Sequence, residues 1–166
     1  YLDKQTFMKS LRDHGANPKY YHSYIGYNSR LDTIQAAILS VKLKYLDQWT
    51  EKRRANAAFY DQKLSGLPLT LPKGNSNCYH IYNQYTIATD KRDELIDYLK
   101  ANGIACAVYY PVPLHAQKCY SYLKYDSDDF PVAESLSRQV LSIPIFPDLT
   151  DEEKEYVVQK LTECFS

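Results

Sequence analysis

A chain of 166 residues with 20 Lys plus Arg against 20 Asp plus Glu carries no net charge that would recruit nucleic acid or an anionic membrane. Its 45% hydrophobic content supports one ordinary core, and no apolar stretch reaches the roughly 20 residues that a bilayer span requires. The four cysteines, Cys78, Cys106, Cys119 and Cys164, form no CxxC pair and no His/Cys spacing suited to zinc. They read as scattered reduced thiols of a cytoplasmic protein, with no metal expected. The opening residues show no secretory apolar segment.

The elements follow in chain order. "DKQTFMKSLRDHG" predicts a helix over about 3–13 with Gly15 to stop it. No sheet or bundle for this helix to cover is visible before it, so the chain reads as starting in the middle of something. "ANPKYYHSYIGYNS" is loop. Leu31, Ile34, Ile38, Val41, Tyr45 and Trp49 then recur at intervals of three and four, one apolar face of a helix. The pattern runs on to Gly66 and Pro68, predicting a single helix over 31–66, about 50 Å long at about 1.5 Å per residue. Such a helix either bends or bridges two domains.

After the connector "LPLTLPKGNSN", residues 78–89 alternate as a half-buried strand does. Residues 90–103 predict a helix with Asp90 at its cap and Gly103 as stop, and 104–110 a second strand closed by Pro111 and Pro113. Residues 130–139 predict a short helix with Pro131 in its first turn, and 140–147 a third strand made irregular by Pro144. Thr150 with Glu153 three residues on is a capping box for a helix over 149–165. Residues 67–166 therefore read as an α+β unit of about three strands and three helices.

No P-loop, GxGxxG, HExxH, GxSxG or Cys/His nucleophile pair is present. Two stretches carry polar chemistry. "GYNSR" (26–30) puts Asn28 and Arg30 where the long helix begins, a place where backbone N–H groups and the helix dipole favour anions. The plainer reading is that Asn28 or Ser29 caps the helix. "VYYPVPLH" (108–115) places two tyrosines, two prolines and His115 directly after a strand, either as a ligand loop or as a turn that covers apolar surface. Tyrosine, 17 of 166 residues, suits sugar and cofactor pockets and interfaces but is also an ordinary strand residue.

Taken together, "LRDHG", "GYNSRLDTIQAAIL", "YHIY", "VYYPVPLH" and "FPVAESLS…LSIPIFPDLT", in this order, resemble the C-terminal half of the DegT/DnrJ/EryC1/StrS aminotransferases. The resemblance implies the α+β C-terminal small domain of a fold-type I aminotransferase dependent on pyridoxal 5'-phosphate, preceded by a long connecting helix. Residues 1–30 would be a remnant of the large cofactor domain, 31–66 the linking helix and 67–166 the small domain. It implies a homodimer with shared active sites, in which Asn28 reaches the phosphate of the partner's cofactor and Arg30 lines the pocket near the nucleotide-sugar. Tyr109, Tyr110 and His115 would border that substrate, and glutamate is the commoner amino donor. His80 matches a recurrent position without a derivable role. The family's Schiff-base lysine would lie upstream of "LRDHG", so no catalytic residue is assigned here and the chain alone is expected to be inactive. The other expectation is a non-catalytic regulatory or binding relative.

Overall fold

The computed structural model describes residues 3–75 and 77–166. Two compact units divide the chain, one running to Leu46 and one spanning Asp47–Ser166.

In the first unit, α1 (Lys4–Arg12) is capped by Asp3, whose carboxylate accepts from Thr6 N at 3.0 Å and from the Thr6 hydroxyl at 2.7 Å. These bonds hold the Asp3 carboxyl below its ordinary range. Lys9 and Arg12 in the last turn complement the helix dipole. His14 and Gly15 then take left-handed conformations, φ 59° and 76°, and the chain folds back on the helix exit. The second helix, α2 (Thr33–Leu43), has Asp32 as its N-cap residue. Neither Asn28 nor Ser29 caps it, a correction to the plainer reading. Backbone pairing with the α1 exit holds residues 27–29 in the bridge instead, four residues short of the first helical turn.

The helix expected over 31–66 is two helices, α2 and α3 (Leu46–Leu64). At the break, Lys44 N reaches Val41 O and Tyr45 N reaches Lys42 O at 3.3 and 3.0 Å, so three-residue turns replace the α-helical ladder.

The second unit is built on an antiparallel pair, β1 (Tyr85–Ala88) and β2 (Val140–Ile143), with Tyr85 opposite Ile143 and Ala88 opposite Val140. Single bridges widen it on both sides, Thr70 to Ala88 and Ala107 to Ser142. The strand expected over 104–110 thus contributes one paired residue rather than a regular strand. The strand expected over 78–89 is regular only from Tyr85, because Tyr82 at φ 47° turns the chain before it. β2 ends at Ile143, since Pro144 has no N–H to donate. Across the pair, the Thr86 and Ser142 hydroxyls meet at 2.8 Å.

Three helices close over this sheet: α3, α4 (Arg92–Ala101) and α6 (Asp151–Cys164). Their buried residues, among them Tyr60, Leu64, Leu95, Leu99 and Leu161, form one cluster with Tyr85, Ile87 and Leu141. Each such large side chain stabilises by about 1.5–3 kcal/mol through removal from water. α3 also pins the chain beyond β2. Asn56 Nδ2 donates to Phe146 O at 3.0 Å, the Tyr60 hydroxyl to Pro144 O at 3.1 Å, and Arg53 to Ile145 O. Burial pushes the Tyr60 and Tyr85 hydroxyls up, and Tyr85 also donates to Asp61 at 2.6 Å.

The expected signals at the helix ends are largely present. Thr150 and Glu153 bond reciprocally at 3.2 and 2.8 Å, Gly103 takes φ 73° after α4, and Pro131 opens α5 (Pro131–Gln139). Asp90 is not the α4 cap. Lys91 holds that position, and the Asp90 carboxylate accepts from Gln139 Nε2 at 2.7 Å. The fold is α+β, as expected, with more helix and a smaller regular sheet.

Candidate functional site

The first group of site residues lies on the loop 13–30. Its shape is set by backbone pairing with the end of α1: His14 N to Tyr27 O at 3.0 Å, Tyr27 N to Leu11 O at 2.7 Å, Ser29 N to Arg12 O at 3.0 Å. Two glycines permit this approach. A Cβ on Gly26 would lie 2.1 Å from Gly15 N, and one on Gly15 would lie 1.8 Å from Tyr24 O. Phe7 and Tyr24 pack edge to face at 5.1 Å, fixing the loop to α1.

Asn28 sits opposite Asp13 in an antiparallel bridge, so its backbone is fixed while its side chain is exposed. Among the described residues its carboxamide has no hydrogen-bond partner, so the group is exposed on a fixed backbone. Arg30 forms an ion pair with Asp13, each side chain about half exposed. Sequence reasoning gave Asp13 no role. Seventeen residues separate it from Arg30, and only the fold-back of the loop brings them together.

The second group lies in the other unit. Tyr109, Tyr110 and His115 line one cavity of about 810 Å³, with Tyr125, Phe130 and Leu136 among its other walls. Pro113 leads into a 3₁₀ turn, Leu114–Ala116, that presents His115. His115 Nε2 lies 3.0 Å from Glu134 Oε1, with the two side chains 10% and 16% exposed. Glu134 Oε2 receives Arg138 at 3.1 Å, and the imidazole packs on Phe130 at 4.7 Å. Glu134 and Phe130 were also missed as site residues. They belong to α5 and the residue before it, and no local spacing links them to His115.

His80 acquires a structural account. Its Nδ1 accepts from Tyr82 N at 3.0 Å, its ring packs on Tyr82 at 4.3 Å, and its carbonyl accepts from Arg54 at 2.8 Å. The Arg54 guanidinium lies over the Tyr79 ring, whose hydroxyl bonds to Glu51. These contacts shape the turn before β1. Among the described residues no cluster could hold a metal ion, and no helix is long and apolar enough to cross a membrane.

Comparison with known proteins decides the family. The model of the DegT/DnrJ/EryC1/StrS aminotransferase family matches residues 3–162. The chain belongs to this family. As a DegT/DnrJ/EryC1/StrS chain it is 49% identical over 158 residues to a Geobacillus stearothermophilus protein named pleiotropic regulatory protein, covering 93% of this chain and 42% of the relative. It is 40% identical over 157 residues to the dTDP-3-amino-3,4,6-trideoxy-alpha-D-glucose transaminase of Streptomyces venezuelae, covering 94% and 41%. The solved structure of S. venezuelae DesV in complex with a ketimine intermediate is similar at a TM-score of 0.90 and 39% identity, over 96% of this chain and 43% of that one. The chain thus spans about two fifths of the length of these relatives.

Proposed function

We propose that this chain is the C-terminal part of an aminotransferase that uses pyridoxal 5'-phosphate to move an amino group, from glutamate, onto a nucleotide-linked keto sugar. The observation that carries the reading is Asn28: an exposed, unpartnered carboxamide on a loop whose backbone is fixed by three hydrogen bonds to the end of α1. A phosphate dianion is bound through N–H donors, and the carboxamide of Asn28 supplies one from a fixed stretch of backbone. When bound, the cofactor supplies the electron sink for amino transfer. The chain's own residues bind and orient. Asn28 would hold the phosphate of a cofactor carried by a second copy, and Arg30 would face the nucleotide end of the substrate with Asp13 setting its direction. Tyr109 and Tyr110 would offer aromatic faces to the sugar, while Glu134 keeps His115 in place beside them.

The homodimer is part of this proposal. α2 supports it, since Ile34, Ile38 and Val41, with Leu31 just before the helix, are all more than half exposed and form an apolar stripe that water does not favour. Four free cysteines suit the reducing cytoplasm, where we place the enzyme. No lysine of this chain is assigned to the cofactor. A regulatory role without catalysis is the second reading: a relative at 49% identity is named pleiotropic regulatory protein, while relatives at 41% and 40% identity are named as a sugar aminotransferase and a sugar transaminase, which favours catalysis.

The test is a cofactor titration of the full-length protein that carries this chain. Asn28→Ala should weaken pyridoxal phosphate binding about tenfold, the loss of one charge-assisted hydrogen bond. Unchanged affinity would reject the role.

A further inference from the structure

His115 and Glu134 meet across two elements. Pro113 leads into the 3₁₀ turn that carries His115, and Glu134 lies in the first turn of α5. The start of α5 touches the imidazole twice. Glu134 Oε1 lies 3.0 Å from His115 Nε2, and the Phe130 ring packs on the imidazole at 4.7 Å with the planes 37° apart. Glu134 is itself held on the helix: its N–H donates to Phe130 O at 3.1 Å, and Ser137 Oγ donates to its carbonyl at 2.8 Å. Its other carboxylate oxygen, Oε2, accepts from Arg138 Nη1 at 3.1 Å, one turn further along.

These contacts decide where the imidazole proton sits. A guanidinium has only donors, and an ionised carboxylate only acceptors. With Oε2 taken by Arg138, Oε1 is the acceptor that faces the ring, so Nε2 carries the hydrogen. A neutral imidazole protonated at Nε2 keeps its lone pair at Nδ1. His115 is also one of the residues that line the cavity of about 810 Å³. We propose that Glu134 is a positioning residue that locks His115 in its Nε2–H tautomer, so that Nδ1 serves the cavity as an acceptor for an O–H or N–H of the ligand. The two side chains are 10% and 16% exposed, which limits the water that would otherwise compete for the ring nitrogens. The acceptor role, though not the tautomer, rests on the reading of this cavity as the sugar site.

Nitrogen-15 NMR of the histidine-labelled full-length protein that carries this chain tests it, at about pH 8, where an imidazole is ordinarily neutral. The His115 ring should show the Nε2–H pattern, with Nδ1 unprotonated. Glu134→Gln separates positioning from mere packing, since it keeps the shape of the side chain. The Arg138 guanidinium claims the amide oxygen, the amide NH₂ turns to His115, and the proton should move to Nδ1. Combining Glu134→Gln with Arg138→Leu frees the amide to rotate and should restore the Nε2–H pattern. UDP-N-acetylglucosamine is the binding probe, and it should shift the Nδ1 signal of the unaltered protein. It should bind about tenfold more weakly to Glu134→Gln, and the double variant should recover to within about threefold. A ring protonated at Nδ1 in the unaltered protein, or a tautomer that Glu134→Gln leaves unchanged, overturns the proposal. The sugar-site reading survives that result if Tyr110→Ala weakens the probe. If the tautomer follows Glu134 while the probe leaves Nδ1 unmoved and binds every variant alike, Tyr110→Ala included, the sugar-site reading fails and the acceptor role falls with it.

Discussion

The loop bearing Asn28 and the loop bearing His115 are held by different means. The first is fixed through its backbone: carbonyls and amides of the α1 exit pair with residues 27–29, and glycines at 15 and 26 allow the close approach. Its side chains are therefore left over for work outside. The second is fixed through side chains, with prolines stiffening it and the His115–Glu134 pair and the Phe130 ring anchoring its end. A backbone-held loop can keep one shape while its surface residues change. A side-chain-held loop changes shape and lining together, which is how substrate preference would be retuned.

Substitutions should expose this contrast. The largest effect belongs to Gly15→Ala, which adds a Cβ 1.8 Å from Tyr24 O at a left-handed position. We expect about 3 kcal/mol of destabilisation or more, read by urea unfolding monitored by circular dichroism. Glu134→Leu comes next, because it leaves the part-buried His115 ring without its carboxylate partner. A loss of about 1–3 kcal/mol in the same assay is expected, together with shifted NMR signals for residues 109–115. Side-chain anchoring would be refuted if those signals stayed in place.

Thr150→Ala removes the Oγ that accepts from Glu153 N and should cost about 1 kcal/mol. Asp13→Ala, breaking a half-exposed ion pair, should cost at most about 1 kcal/mol and leave the backbone signals of 27–29 unshifted, since the backbone carries that loop. A collapse of the loop in this variant would reverse the contrast. Alkaline pH probes the shared core of the second unit. Tyr60 and Tyr85 have folded-state values above the ordinary 10.0, so the folded state holds their protons more tightly. Their stabilising contribution is complete below pH 10 and declines as pH rises beyond it. Tyr85→Phe should flatten that decline by up to one proton's worth, seen as a shallower fall of the unfolding midpoint with pH.

Much of the fold was legible where a residue enforces a local geometry. Gly103 ends α4 because its φ of 73° suits glycine, Pro131 opens α5, and Thr150 with Glu153 starts α6. The break between α2 and α3 was not, because neither proline nor glycine marks Lys44 and Tyr45 and the apolar period runs straight through them. The strand over 78–89 was overextended because alternation says nothing of the left-handed turn at Tyr82. At the site, the sequence pointed to Asn28, Arg30, Tyr109, Tyr110 and His115, and each group of them shares one loop. Asp13 and Glu134, which set the direction of Arg30 and His115, lie 17 and 19 residues away from them. Pairings at that range depend on how the chain folds back, and neither periodicity nor motif spacing encodes it.

The most direct measurement is a crystal structure of the full-length protein with pyridoxal phosphate bound. The account predicts the Asn28 carboxamide nitrogen within about 3 Å of a phosphate oxygen of the cofactor held by a neighbouring copy. An Asn28 side chain turned to solvent, with the phosphate bound wholly by other residues, would contradict it.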